Sequence, residues 1–236
     1  MSAGRVTDVG PRQRYGAVLT AILAVFAIQG IATAGKWEQM LVSVLLGAAL
    51  LIALWETRAR SSVLTAATVI VVVVVLNSVL EAAAGDVDGA GTRLPEALLV
   101  ALTPPAIVIG VGREIRARRE VTLQTVFGVL SVYILIGMFF ANIYVSVDRL
   151  GGSPFFAGGQ PANIANSIYF SFTSLTTVGY GDFTARTSLG HTLSNAEGLM
   201  GQIYLVTVVA LIVSHLGPHI VSRRAASQSP RASSSA

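Results

Sequence analysis

Charge is scarce in this 236-residue chain, where 12% of residues are acidic or basic and 53% are hydrophobic. Soluble domains carry about 25% charged residues, so an ordinary water-soluble globular fold is excluded. Cysteine is absent, which removes a disulfide scaffold, a cysteine nucleophile and a thiolate metal site. Three scattered histidines leave little for zinc. Lysine occurs once, at Lys36, among sixteen basic residues, an arginine bias that suits a high-GC bacterium. The net charge of +4 says little about partners, and no nucleic acid is expected among them.

The apolar residues lie in six stretches, at 16–34, 40–55, 62–80, 94–112, 121–145 and 196–216. None holds a charge near its middle. About 20 apolar residues of helix cross a bilayer, so the expected fold is an all-α membrane protein with six transmembrane helices. The run Val69 to Val75 would read as a buried strand in water. Its apolar surroundings extend well beyond strand length, and lipid admits only helices or closed barrels, so a helix is expected there too.

With a cytoplasmic N-terminus, twelve of the sixteen basic residues fall in inside segments, and only Lys36, Arg93, Arg149 and Arg186 fall outside. The positive-inside bias therefore places both termini in the cytoplasm of a multi-pass protein of the bacterial cell membrane. A competing reading takes Arg12, Arg14, the apolar run to Ile28 and Ala32-Thr33-Ala34 as a cleavable signal peptide. The apolar run continues through Ile31, as a first membrane span does, and retention is the favoured expectation.

The stretch between the last two spans differs in character. Gly151-Gly152-Ser153-Pro154 and Gly158-Gly159-Gln160-Pro161 are turn chemistry. Asn163 or Asn166 can then cap a half-buried helix carrying Ile164, Ile168, Tyr169, Phe170, Phe172 and Leu175. That helix is too short to cross a bilayer, which makes it a re-entrant segment. Irregular backbone at its tip is tolerated only where protein shields it or where it lines a watery path.

The next seven residues, Thr176-Thr177-Val178-Gly179-Tyr180-Gly181-Asp182, resemble the selectivity-filter signature of potassium channels. The order of span, short pore helix, filter and span resembles their pore module. The resemblance covers about residues 121 to 216. It implies passive potassium conduction without enzymatic activity or cofactor, potassium being the permeant ion. Thr177, Val178, Gly179, Tyr180 and Gly181 would line the ion path, with Thr176, Asp182, Tyr169, Phe170 and Thr173 supporting them.

The physical requirements agree with the motif. A pore must replace the water oxygens of a dehydrated potassium ion, and inward-facing backbone carbonyls can do so. Successive carbonyls share one axis when the backbone alternates between right- and left-handed regions, and Gly179 and Gly181 permit positive φ. Val178 and Tyr180 then point away from the axis, toward the pore helix. One chain holds one such loop, and a ring needs four, so a homotetramer in membrane lipid is expected.

Several features depart from the family's familiar pattern. Tyr169 and Phe170 stand where many members have a tryptophan pair, which puts the clamp from an aromatic N–H to Asp182 in doubt. Thr173 occupies a position that is a carboxylate in some bacterial relatives. Ser194-Asn195-Ala196-Glu197 reads as a capping box that starts the last helix, and Gly217-Pro218 reads as its end. Gly201, with Gly198 the second candidate, is either the bend of that helix or a site of close packing.

Gating is less legible. Six spans with the pore last resembles the voltage-gated layout, but 94–112 contains no arginine and does contain Pro104-Pro105. Arg113, Arg116 and Arg119 recur at every third position beyond that span, and read as a cytoplasmic elbow at lipid headgroups more readily than as a displaced sensor. Weak voltage dependence follows. His215 and His219 sit at the expected inner mouth, either as proton sensors or as helix-end packing. The expected divisions are a cytoplasmic N-terminus at 1–15, a four-helix domain at 16–112, a basic linker at 113–120, a pore domain at 121–216 and a disordered tail at 217–236. A subunit of a potassium uptake transporter and a non-conducting membrane sensor are the competing readings. The transporter fits poorly, because such subunits carry four degenerate filters in one chain.

Overall fold

The computed structural model describes residues 15–31, 36–56, 59–84, 90–118 and 122–227, with side chains left undescribed at several helix ends. Seven helices account for nearly all of it: α1 (Tyr15–Ile31), α2 (Lys36–Glu56), α3 (Ser61–Ala84), α4 (Ala90–Arg118), α5 (Leu123–Leu150), α6 (Ile164–Leu175) and α7 (Ser188–Ser227). Three contain segments long and apolar enough to cross a membrane, Glu38–Glu56, Ser61–Leu80 and Leu123–Leu150. Shorter apolar segments lie at Tyr15–Ile31 and Ala97–Arg113. The valine run from Val69 to Val75 is helical throughout.

The core forms where α1, α2, α4 and α5 meet. Val18, Ile22, Leu46, Leu50, Leu99, Ile107, Leu135 and Met138 are all buried there. α4 lies along α5 in the most extensive helix pairing, and α1 packs on α2, α5 and α6. Close approach depends on small residues. A Cβ on Gly128 would come within 2.8 Å of Val111, and one on Gly47 within 2.5 Å of Val71. Beside the latter crossing, Ser43 and Ser78 share a buried 2.7 Å hydrogen bond between α2 and α3. Among the described residues α3 touches only α2 and α4 and leaves Val69, Val72, Val73 and Leu76 on an open apolar face. A face of that kind suits lipid, where a water-soluble protein would present polar residues.

Two expected boundaries of the last helix are corrected. α7 starts at Ser188, six residues before the expected capping box, because Thr187 already supplies the cap: its hydroxyl accepts from Gly190 N at 3.1 Å and its carbonyl from His191 N at 2.9 Å. Ser194 and Glu197 therefore lie inside the helix, where Ser194 donates to the His191 carbonyl. At the other end α7 continues through Gly217 and Pro218 to Ser227, so 217–227 is helical and not the expected disordered tail. Proline removes one ladder bond, and neighbouring turns can sustain the helix around it. Residues 228–236, the N-terminal 1–14 and the region of Arg119 lie outside the described residues.

Candidate functional site

The site is assembled on α5, α6 and α7. Thr122 starts α5 with a reciprocal cap, its hydroxyl accepting from Thr125 N and its own N–H donating to the Thr125 hydroxyl. Asn163 caps α6, its Oδ1 accepting from Asn166 N at 2.9 Å, while Asn166 Nδ2 reaches back to the Pro161 carbonyl at 2.8 Å. Of the two candidate caps, Asn163 holds the position. The twelve-residue α6 is less than half the length of α5.

An aromatic cluster fixes the start of this unit. Phe155 and Phe156 are buried against Tyr144 of α5 and Phe170 of α6, with ring centroids 4.8 to 5.9 Å apart. The edge-to-face contacts among Phe155, Phe156 and Phe170 add to the burial of large apolar rings. Backbone bonds from Ala157 N to the Thr184 carbonyl and from Arg186 N to the Phe155 carbonyl join the segments before and after α6, at 2.9 and 2.8 Å. Phe155 and Phe156 were not singled out in the sequence, where they sit among turn residues. Two adjacent phenylalanines in a glycine-rich stretch were the available signal.

The loop 176–182 follows α6. Its φ angle is positive at Thr177 (59°), Gly179 (51°) and Gly181 (83°), at every second residue. Thr177 is the only described residue other than glycine with positive φ. A β-branched side chain in that region is strained, so the surrounding structure must hold it there. Thr177 N donates to the Ser174 carbonyl at 3.0 Å, and Gly179 N to the Thr173 carbonyl at 3.1 Å. The loop is thereby folded back onto the last turn of α6.

At the loop's far end, the Tyr169 hydroxyl donates to Asp182 Oδ2 at 2.8 Å, and Gln160 Nε2 donates to the Asp182 carbonyl at 3.1 Å. The Tyr169 ring also lies nearly parallel to Tyr180, at a centroid distance of 6.4 Å. Val178 and Tyr180 are 52% and 72% exposed in the single chain.

Three contacts brace α6 from behind. Tyr133 of α5 donates to the Leu175 carbonyl at 3.4 Å, and its ring stacks on Tyr204 of α7, which donates to the Val129 carbonyl at 2.6 Å. Gly201 of α7 lies against Leu175, where an added Cβ would sit 2.8 Å from the Leu175 carbonyl oxygen. Glu197 of α7 is fully buried, with its carboxyl oxygens on the Tyr144 and Ser171 hydroxyls. On the opposite side Phe172 fills the space beside Gly137 and packs on Phe26 of α1, at a centroid distance of 4.8 Å.

Residues 128–217 match the family model described as ion channel. This segment resembles an ion-channel domain. No curated protein and no solved structure matches the chain. The matched segment takes in most of α5, all of α6 and the loop, and α7 as far as Gly217.

The site residues named from the sequence divide by location. Thr176 to Asp182 form one continuous exposed loop, with Tyr169 bonded to its end and Thr173 bonded to its middle. Phe170 faces away from the loop, into the aromatic cluster. The doubted clamp on Asp182 is present, with a phenol O–H as donor in place of an aromatic N–H. Gly198 and Gly201 lie within an unbroken stretch of α7. His215 and His219 are on α7, and their side chains lie outside the described residues, as does that of Arg116 on α4. Among the described residues no group of three or more His, Cys, Asp or Glu is placed to hold a metal ion. Besides Phe155 and Phe156, sequence reasoning missed Tyr133, Gly137, Tyr144, Ser171 and Tyr204, all of them bracing α6 or its neighbours.

Proposed function

We propose that the chain is a potassium-selective channel that conducts passively as a homotetramer, with loop 176–182 as the selectivity filter. The observation that carries this reading is the alternation of φ: positive values at Thr177, Gly179 and Gly181 turn successive peptide units so that their carbonyls can line one side of the loop. A row of inward carbonyls replaces the hydration shell of potassium. Thr177 adds its hydroxyl at the end nearest α6. The carbonyl end of α6 carries partial negative charge and favours a cation beyond it.

In this reading α1 to α5 and α7 are the six spans, α6 is re-entrant, and both termini face the cytoplasm of a bacterial cell membrane. Burial of Tyr15, Val18, Ile22 and Val25 of α1 supports a retained first span. Exposed apolar residues support assembly: Val178 and Tyr180 on the loop, and Leu199, Ile203 and Val206 on α7, where Val206 is 69% exposed. Three further copies around one axis would cover them and close the ring. Gly201, with Gly198 as second candidate, is the hinge position of α7 in this reading, and its close approach to Leu175 is the packing alternative. Arg113 and its neighbours at the end of α4 meet lipid headgroups, and gating is only weakly sensitive to voltage. His215 and His219 bring titratable groups to the inner mouth.

Reconstitution tests the function. Proteoliposomes loaded with potassium should lose it when a counter-ion path is supplied, and sodium-loaded ones should not. Equal efflux of both ions would refute potassium selection.

A further inference from the structure

Behind α6, three oxygen–oxygen contacts run in series. Tyr144 Oη meets Glu197 Oε2 at 2.5 Å, Glu197 Oε1 meets Ser171 Oγ, and Ser171 Oγ meets the Gly137 carbonyl oxygen at 2.6 Å. Tyr144, Ser171 and Glu197 are each fully buried. Three hydrogen bonds need three hydrogens. The phenol supplies one, the serine hydroxyl supplies one, and the Gly137 carbonyl supplies none.

An ionised Glu197 would supply none either. Ser171 could then donate to the carboxylate or to Gly137, but not to both. The remaining pair would be two lone-pair-bearing oxygens held at hydrogen-bonding distance in a buried site. A neutral carboxylic acid completes the count. Its Oε1–H donates to Ser171, the Ser171 O–H donates to Gly137, and the Tyr144 O–H donates to Oε2.

The surroundings favour the same state. Neither hydrogen-bond partner of Glu197 carries positive charge, and an unpaired carboxylate in apolar surroundings costs far more than the neutral acid. Among the described residues, the other ionisable groups on the neighbouring elements have hydrogen-bond partners other than Glu197, or lie toward a helix end. On α5, Tyr133 donates to Leu175, and Asp148 accepts from Phe155 N near the helix end that also carries Arg149. α6 has no acidic or basic residue, and its Tyr169 is bonded to Asp182. On α7, the His191 ring is bonded to the Ala185 carbonyl.

We infer that Glu197 is a protonated carboxylic acid, a positioning residue that fastens α6 to α5 and α7 through Ser171, Tyr144 and Gly137. Ser171 lies five residues before Thr176, so this relay sets where α6 delivers its end to the loop. The inference rests on the channel reading for its consequence in ion selection, and on geometry alone for the protonation state.

The test uses the full-length protein and the variants Glu197→Gln, Glu197→Ala and Ser171→Ala. A glutamine amide can donate to Ser171 and accept from Tyr144, so it reproduces the neutral acid and not the carboxylate. Infrared difference spectra of wild type minus Glu197→Gln at neutral pH should show the C=O stretch of a protonated carboxyl. Glu197→Gln should keep the wild-type potassium-to-sodium flux ratio. Glu197→Ala and Ser171→Ala should lower it about tenfold, because each leaves buried polar partners unsatisfied. Absence of the protonated-carboxyl band, or a Glu197→Gln flux ratio as low as that of Glu197→Ala, overturns the inference. Wild-type protein that shows the band yet passes no potassium refutes the channel reading and leaves the protonation state standing.

Discussion

The Tyr169 hydroxyl donates a 2.8 Å hydrogen bond to Asp182, spanning the loop from the middle of α6 to the residue that follows Gly181. The same ring stacks on Tyr180, so one side chain holds the far half of the loop by two contacts. Tyr169→Phe keeps the ring and removes the donor. Potassium current through this variant is expected to decay faster during sustained recording, with selectivity at the first instant unchanged. A decay rate equal to wild type would show that the bond does not steady the loop.

Gly201 and Gly198 make different contacts, and alanine separates them. At Gly201 the new Cβ would stand 2.6 Å from Leu175 Cδ1 and 2.8 Å from the Leu175 carbonyl oxygen. Overpacking of this kind costs about 1–3 kcal/mol. At Gly198 the nearest atom is the Ser174 carbonyl oxygen, at an ordinary 3.6 Å. Gly201→Ala is therefore expected to lower the melting temperature and the open probability, and Gly198→Ala to change the melting temperature little. Equal effects of the two would argue against close packing at Gly201.

Phe172 bridges α6 and α1, resting on Phe26 on one side and in the hollow of Gly137 on the other. In Gly137→Ala the added Cβ would lie 2.7 Å from the Phe172 ring. Thermal stability should fall by about 1–3 kcal/mol. Because α1 is integral to this contact, mass spectrometry of the membrane-extracted protein should detect peptides from residues 15–31. A mature N-terminus beyond Ala34 would contradict that role for α1.

Voltage should do little. The apolar segment Ala97–Arg113 holds no charge before its last residue, and each elementary charge moved through the field contributes about 2.3 kcal/mol per 100 mV. Open probability is expected to vary weakly across the physiological voltage range. A steep dependence, equivalent to several elementary charges per assembly, would place the arginines beyond Ile109 inside the field.

Much of the site was readable from local chemistry. Asn163 and Asn166 announced a helix start by type and position, and Gly179 and Gly181 marked where left-handed backbone was needed. Thr177 gave no such signal, because nothing in a threonine foretells a positive φ. Its conformation is imposed by the bonds to Ser174 and by the turn into the loop. Glu197 was misread for a related reason. Ser194 and Glu197 have capping-box spacing, but a serine and a glutamate three residues apart also occur inside helices, and here tertiary partners claim the carboxyl. Tyr144 and Ser171 lie 27 residues apart and are joined through Glu197 of α7, which only the packing of α5, α6 and α7 brings between them. Individual residues therefore indicated the loop, while the apparatus that braces it depended on contacts between distant segments.

The central claim is potassium selection by the 176–182 loop, and single-channel recording in a planar bilayer under opposed potassium and sodium gradients tests it most directly. The expected result is a current that reverses near the potassium equilibrium potential and disappears in Gly179→Ala, where an L-residue is forced to a φ near 51°. Reversal near the sodium equilibrium potential, or wild-type selectivity persisting in Gly179→Ala, would contradict it.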